Sequence, residues 1–289
     1  SGAPYFRAFA TLAAAPDTSG FYASYPYAVA PPPDDRPFFF HFFKWRQIPE
    51  VLAALGKTWQ PFGGSGYLVL VLLLALVLLL SGGLILLPLA IGHRTQNARL
   101  KTGSTVRYLL YFLLLGLGFL FVEIPLLQRF VVYLGQPAYA FAAVVGALLV
   151  ASGLGSRYLA IRIRPPLGLT ALAALVFVYP LLLPLLFQVT FGLPLVGRIA
   201  VTALALAPLG LLMGTPFPQG LAVARQHAPG LLPWIWAVNG CASVVSAVLA
   251  PMLAISLGFR VVMLVGAGAY LGAWFSLGHF WRGPVTLDE

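Results

Sequence analysis

Apolar runs of about twenty residues recur along this chain from Tyr67 onward, separated by short polar interruptions. As a helix, twenty residues rise about 30 Å, the thickness of a bilayer's hydrocarbon core. Only 8% of the residues are charged, against about 25% in an ordinary soluble domain. So few charges cannot cover a water-facing surface. The pattern predicts an all-α, polytopic transmembrane helix bundle. Helices are expected near 67–91, 106–128, 137–157, 166–188, 196–215, 233–256 and 260–281, about seven in all. Their short connections predict that successive helices are antiparallel neighbours.

Seventeen basic residues face seven acidic ones, a net charge of +10. The bases sit in short clusters between apolar runs, which points to lipid headgroups and away from nucleic acid. Cys241 is the single cysteine, which excludes an intrachain disulfide and a cysteine-based metal site. His41, His93, His227 and His279 are widely spaced and form no i, i+4 pair, so no metal site is expected.

Residues 1–60 have the only soluble character, and 61–289 form the membrane domain. Ala13 to Thr18 reads as a helix end and turn. Pro31-Pro32-Pro33-Asp34-Asp35-Arg36-Pro37 is a stiff extended segment. Between Phe38 and Arg46 lie five phenylalanines, Trp45 and two bases. That composition suits a headgroup-level segment and equally a buried strand. Ile48 to Leu55 is a candidate interfacial helix, and Phe62 to Gly66 a linker. The chain starts with Ser1 and shows no ordinary signal peptide, so residues 1–60 are expected to be the tail of a longer soluble domain.

Six bases, Lys44, Arg46, Lys57, Arg129, Arg198 and Arg260, fall on the N-terminal side of the membrane. Nine fall opposite: Arg94, Arg99, Lys101, Arg107, Arg157, Arg162, Arg164, Arg225 and Arg282. The excess favours an N-terminus outside the cytoplasm.

Glu123 is the only acid between Glu50 and Asp288. A carboxylate in such surroundings is costly unless it is paired, protonated or beside water. A helix starting at Val106 carries it about 25 Å along the axis, toward the far headgroups. Pro125 can kink or end the helix there. Two readings follow. Arg129 folds back to make a structural ion pair at a helix end, or Glu123 faces a cavity and holds a cation or a proton. Gln128 stands beside Arg129.

In the sixth run Asn239, Ser243 and Ser246 recur at i, i+4 and i+7 and share one face. Such a face packs against another helix or lines a substrate path. Glu123, Gln128, Arg129, Asn239, Ser243 and Ser246 are thus the candidate intramembrane polar site. Gly210/Gly214 and Gly268/Gly272 have the GxxxG spacing of close helix contacts. Gly214 to Gly220, with Pro216 and Pro218, interrupts a helix and reads as a loop, or else as a transporter-like break. Gly116-Leu-Gly118 and Gly153-Leu-Gly155 lack the strand and third glycine of a nucleotide fingerprint. No Ser/His/Asp triad and no carboxylate pair can be assembled, so no catalytic or cofactor residue is assigned.

Several strings, in order, resemble one family. Pro33-Asp34-Asp35-Arg36-Pro37-Phe38-Phe39-Phe40-His41-Phe42 is similar to the end of the spermidine-synthase-like domain of large bacterial membrane fusion proteins. Gly116 to Phe130, with Glu123-Ile-Pro125 at its centre, resembles their second helix after that domain. Leu134-Gly135-Gln136-Pro137, Ser152 to Arg157, Met213 to Pro218, Trp236 to Val244 and Leu257 to Arg260 fit the segments that follow. The likeness spans roughly residues 10–275. It implies a multi-pass protein of the bacterial inner membrane, fused to a polyamine aminopropyltransferase-like domain. That domain's glycine-rich loop and catalytic aspartate have no counterpart here. A transferase that uses a cytosolic cofactor implies a cytoplasmic N-terminal side, opposite to the charge count.

The expected function is to anchor that transferase-like domain and to offer a path for a polyamine or other cation, drawn by Glu123. The alternatives are an accessory or scaffold subunit of a larger membrane complex, and a half-transporter that dimerises.

Overall fold

The computed structural model describes residues 4–15, 17–38, 41–54, 66–92 and 102–278. Phe39, Phe40, Lys57, linker residues Phe62 to Ser65, the polar loop from Arg94 to Lys101, His279 and Arg282 lie outside the described residues, as does His93. Eleven α-helices are described: α1 (Pro4–Ala14), α2 (Ser19–Ser24), α3 (Ile48–Ala54), α4 (Gly66–Gly92), α5 (Thr102–Leu134), α6 (Pro137–Leu154), α7 (Pro165–Thr190), α8 (Leu195–Met213), α9 (Pro216–His227), α10 (Leu232–Leu257) and α11 (Phe259–Leu277). No strand occurs among the described residues. Seven helical spans are long and apolar enough to cross a membrane, the fifth combining α8 and α9. The chain is a multi-pass, all-helical membrane protein.

The residues group into two units, Ser1–Leu73 and Leu74–Glu289. In the first, α1 ends just before the predicted turn. Lys44 Nζ donates to the carbonyls of Tyr22 (2.6 Å) and Tyr25 (2.9 Å). Arg46 donates to those of Ser24 (3.0 Å) and Tyr25. A helix leaves its last carbonyls unpaired, and cations there satisfy them. So these two bases close α2, while Phe43 is buried against Tyr67. The described part of the aromatic stretch, Phe38 and His41 to Arg46, holds no strand and ends in a 3-10 turn at Trp45–Gln47. Burial holds the His41 imidazole below its ordinary value, so it stays neutral at pH 7.

In the second unit α5 is the central helix. Its closest partners are α10 and α11, and α6 pairs with α8 and α7 with α11. The tightest packing therefore joins helices distant in sequence. Expected pairing of successive helices is secondary, because close approach follows small residues and not short loops. Gly116 and Gly118 show this. They stand two positions apart, so they face different sides of α5. A Cβ on Gly116 would come within 2.5 Å of the Asn239 carbonyl of α10. One on Gly118 would meet the Tyr270 ring of α11 at 3.2 Å.

Three expectations are corrected. First, α5 continues past Pro125 to Leu134. Proline removes one donor to Phe121, but Leu126, Phe130, Tyr133 and Leu134 are all buried and hold the next turns in place. Second, Gly214 to Gly220 is not a loop. Only Gly214 and Thr215 separate α8 from α9. Thr215 and Pro216 at the break are buried, and several of its polar groups are paired. Gly214 N bonds Gly210 O (3.0 Å) and Thr215 Oγ1 bonds Leu212 O (3.0 Å). Tyr111 of α5 donates to Pro216 O at 2.7 Å. Third, the α11 contact uses Gly266, whose Cβ position meets Val122 at 3.0 Å, while Gly268 faces open space. Gly272 lies against Leu114, and Gly210/Gly214 pack on Ala151 and Ser152 of α6 as expected.

Candidate functional site

Because α5 runs to Leu134, Glu123 has a new address. Its span covers Thr105–Leu134, whose centre falls between Phe119 and Leu120. Glu123 is three to four residues beyond, about 5 Å along the axis. It is near the middle of the apolar span, not at its end. Its side chain is half-buried.

The unbroken helix also separates Glu123 from Arg129. Six residues advance the axis by about 9 Å and turn it about 240°. No ion pair joins the two, and among the described residues Glu123 has no hydrogen-bond partner. The group that feels its charge is the Tyr270 hydroxyl of α11. Tyr270 is buried with its ring on Gly118. Gln128 is exposed on another face of α5.

Asn239, Ser243 and Ser246 do share a face, and it is turned onto the α5 backbone. Asn239 Nδ2 donates to Phe112 O at 2.9 Å. Ser243 Oγ donates to Asn239 O (3.0 Å), and Ser246 Oγ to Ser243 O (2.9 Å). Both hydroxyls also reach Gly116 O at 3.4 Å. Their polar atoms are engaged in helix packing. Glu123 lies seven residues past Gly116, about 10 Å along α5. Of the six candidate residues only Asn239, Ser243 and Ser246 are brought together, while Glu123, Gln128 and Arg129 stand apart from them and from one another.

Two polar features were not singled out from the sequence. Gln219 of α9 is 1% exposed. Its Nε2 donates to Ala160 O and Ile163 O, both at 2.9 Å. It ties α9 to the turn between α6 and α7. The second is an aromatic clasp at the opposite end of the bundle. Tyr133 stacks on Phe187 at 4.4 Å and bonds Thr190 Oγ1 at 2.7 Å. Arg198 donates to Tyr133 O at 2.7 Å and lies over the Phe191 ring at 5.4 Å. Neither pairing has a spacing in the sequence that could reveal it, since each joins elements more than fifty residues apart.

No cluster of three or more His, Cys, Asp or Glu residues that could hold a metal occurs among the described residues. Comparisons with protein-family models, curated proteins and solved structures find no match to this chain.

Proposed function

We propose that the chain is the membrane region of a spermidine-synthase-like fusion protein of the bacterial inner membrane. It anchors a transferase-like domain and binds a cationic amine at Glu123. The observation that carries the cation site is a half-buried carboxylate near mid-span without an ion-pair partner among the described residues. Such a group faces a large desolvation cost that a bound cation offsets. The Tyr270 hydroxyl, within electrostatic reach of Glu123, can accept from an ammonium. A polyamine carries such ammonium groups on a flexible apolar stem, which suits a carboxylate in an apolar helix.

Uptake of labelled spermidine into proteoliposomes tests the reading. Wild-type protein is expected to raise uptake and Glu123→Gln to abolish the increase. Equal uptake with and without protein sinks the path.

A second reading is a non-catalytic accessory subunit. It is favoured by the engagement of Asn239, Ser243 and Ser246 in packing, which leaves them no part in lining a path. Purification in mild detergent separates the two. A stable stoichiometric complex with other subunits supports the accessory role, and a free monomer active in uptake opposes it.

A further inference from the structure

An apolar cavity of about 470 Å³ lies along α6 and α8. It runs from Ala142 to Leu154 on α6 and from Ile199 to Leu211 on α8, past Gly146 and Ala203. It opens outward, where Leu154 and Leu204 are exposed. Twelve helical residues rise about 18 Å, and one leaflet contributes about half of a ~30 Å hydrocarbon core. The groove is therefore as long as a leaflet is deep. Its width comes from small residues on both helices.

What occupies it is indicated at its mouth. Arg157 follows Leu154, the last α6 residue that lines the groove, by three residues. The chain there forms a π-helical turn, Gly155–Leu159, and Gly155 sits directly on the Leu211 backbone. Both helices thus meet beneath the arginine. Its guanidinium lies over the exposed Tyr158 ring at 5.9 Å. Arg162 and Arg164 follow in the next turn, both exposed. Between them Ile163 has its carbonyl held inward by Gln219 at 2.9 Å. No acid other than Glu123 occurs in residues 102–278, and Glu123 is far down α5. These cations therefore have no carboxylate near them within the described bundle.

A guanidinium suits a phosphate through paired hydrogen bonds. The neighbours Tyr158, Ile161 and Leu167 are exposed apolar groups, which suits a ligand with hydrocarbon next to its phosphate. We propose that the α6/α8 groove and Arg157 form a binding site for one anionic phospholipid. An acyl chain fills the groove and Arg157 holds the phosphate, with Arg162 and Arg164 drawing the negative headgroup to that end of the bundle.

Native mass spectrometry of the full chain tests this with phosphatidylglycerol and phosphatidylcholine of matched acyl chains, and with inorganic phosphate. Wild type is expected to retain phosphatidylglycerol about tenfold better than phosphatidylcholine. Arg157→Gln lowers retention of both lipids, since both carry the phosphate, and lowers phosphatidylglycerol more because no choline offsets its charge. Ala203→Phe, which fills the groove, lowers retention of both lipids. Both positions face outward, so folding is expected to survive, and an unchanged elution profile checks it. Equal retention of the two lipids by wild type overturns the proposal, as does an Arg157→Gln protein that behaves like wild type. Displacement of the lipid by inorganic phosphate, with no effect of Ala203→Phe, also overturns it, because the groove then plays no part.

Discussion

Gly116 and Gly268 are both glycines in apolar helices, and only their neighbours tell them apart. At Gly116 any side chain meets backbone of α10, which cannot move out of the way as a flexible side chain could. Gly116→Val is therefore expected to destabilise the protein by about 1–3 kcal/mol through overpacking. Gly268→Val enters open space and should change stability by about 0.5 kcal/mol or less. Thermal unfolding in detergent measures both. Equal losses would mean that α11 packs through its GxxxG pair after all. Glu123 makes the same point for charge. Its rarity is visible in the sequence, but its partner is not. Helix continuity past Pro125 carries Arg129 about 9 Å down the axis and to another face.

At the scale of elements, the helices were legible because apolar length and proline or glycine punctuation are local signals. Their ends were less so. Buried Leu126, Phe130, Tyr133 and Leu134 carry α5 past its proline, and that burial comes from other helices. The α8–α9 break was visible as Gly214, Pro216 and Pro218. Whether it was a loop depended on Tyr111, more than a hundred residues earlier. Gln219 is the strongest link of α9 to its surroundings. Gln219→Leu leaves the Ala160 and Ile163 carbonyls without their donor and should cost about 1–3 kcal/mol. Hydrogen exchange should then rise in residues 155–165 with α10 and α11 unaffected. Uniform protection loss would show that the glutamine supports the whole bundle and not this turn.

For the whole molecule, the arginines of the bundle divide by exposure. At the end formed by the α6–α7 turn, Arg107, Arg157, Arg162, Arg164 and Arg225 are all exposed. At the other end Arg129 and Arg198 are half-buried, Arg198 is committed to Tyr133 and Phe191, and of the described arginines there only Arg260 is exposed. Counting only exposed charge strengthens the bias toward a cytoplasmic α6–α7 turn. In a Cys241→Ala background expressed in bacterial cells, Gly192→Cys should react with a membrane-impermeant maleimide added outside, and Arg162→Cys should not. The reverse pattern would place the N-terminal side in the cytoplasm, as a transferase with a cytosolic cofactor requires.

The sequence by itself determined the solvent. With so few charges and apolar runs of bilayer length, this chain can only be a membrane helix bundle of about seven spans. It also marked Glu123 as anomalous, since a lone acid in an oily chain is visible without coordinates. Only the tertiary structure decided which polar residues are spent on packing. Asn239, Ser243 and Ser246 turn to α5 because Gly116 lets the two backbones approach. It also decided that Glu123 sits near mid-span, away from Arg129, and that α6 and α8 leave a groove lined from Ala142 to Leu154 and from Ile199 to Leu211. Those outcomes depend on which helices meet, and in lipid the choice rests on shape and hydrogen bonding between distant segments, which apolar periodicity does not encode.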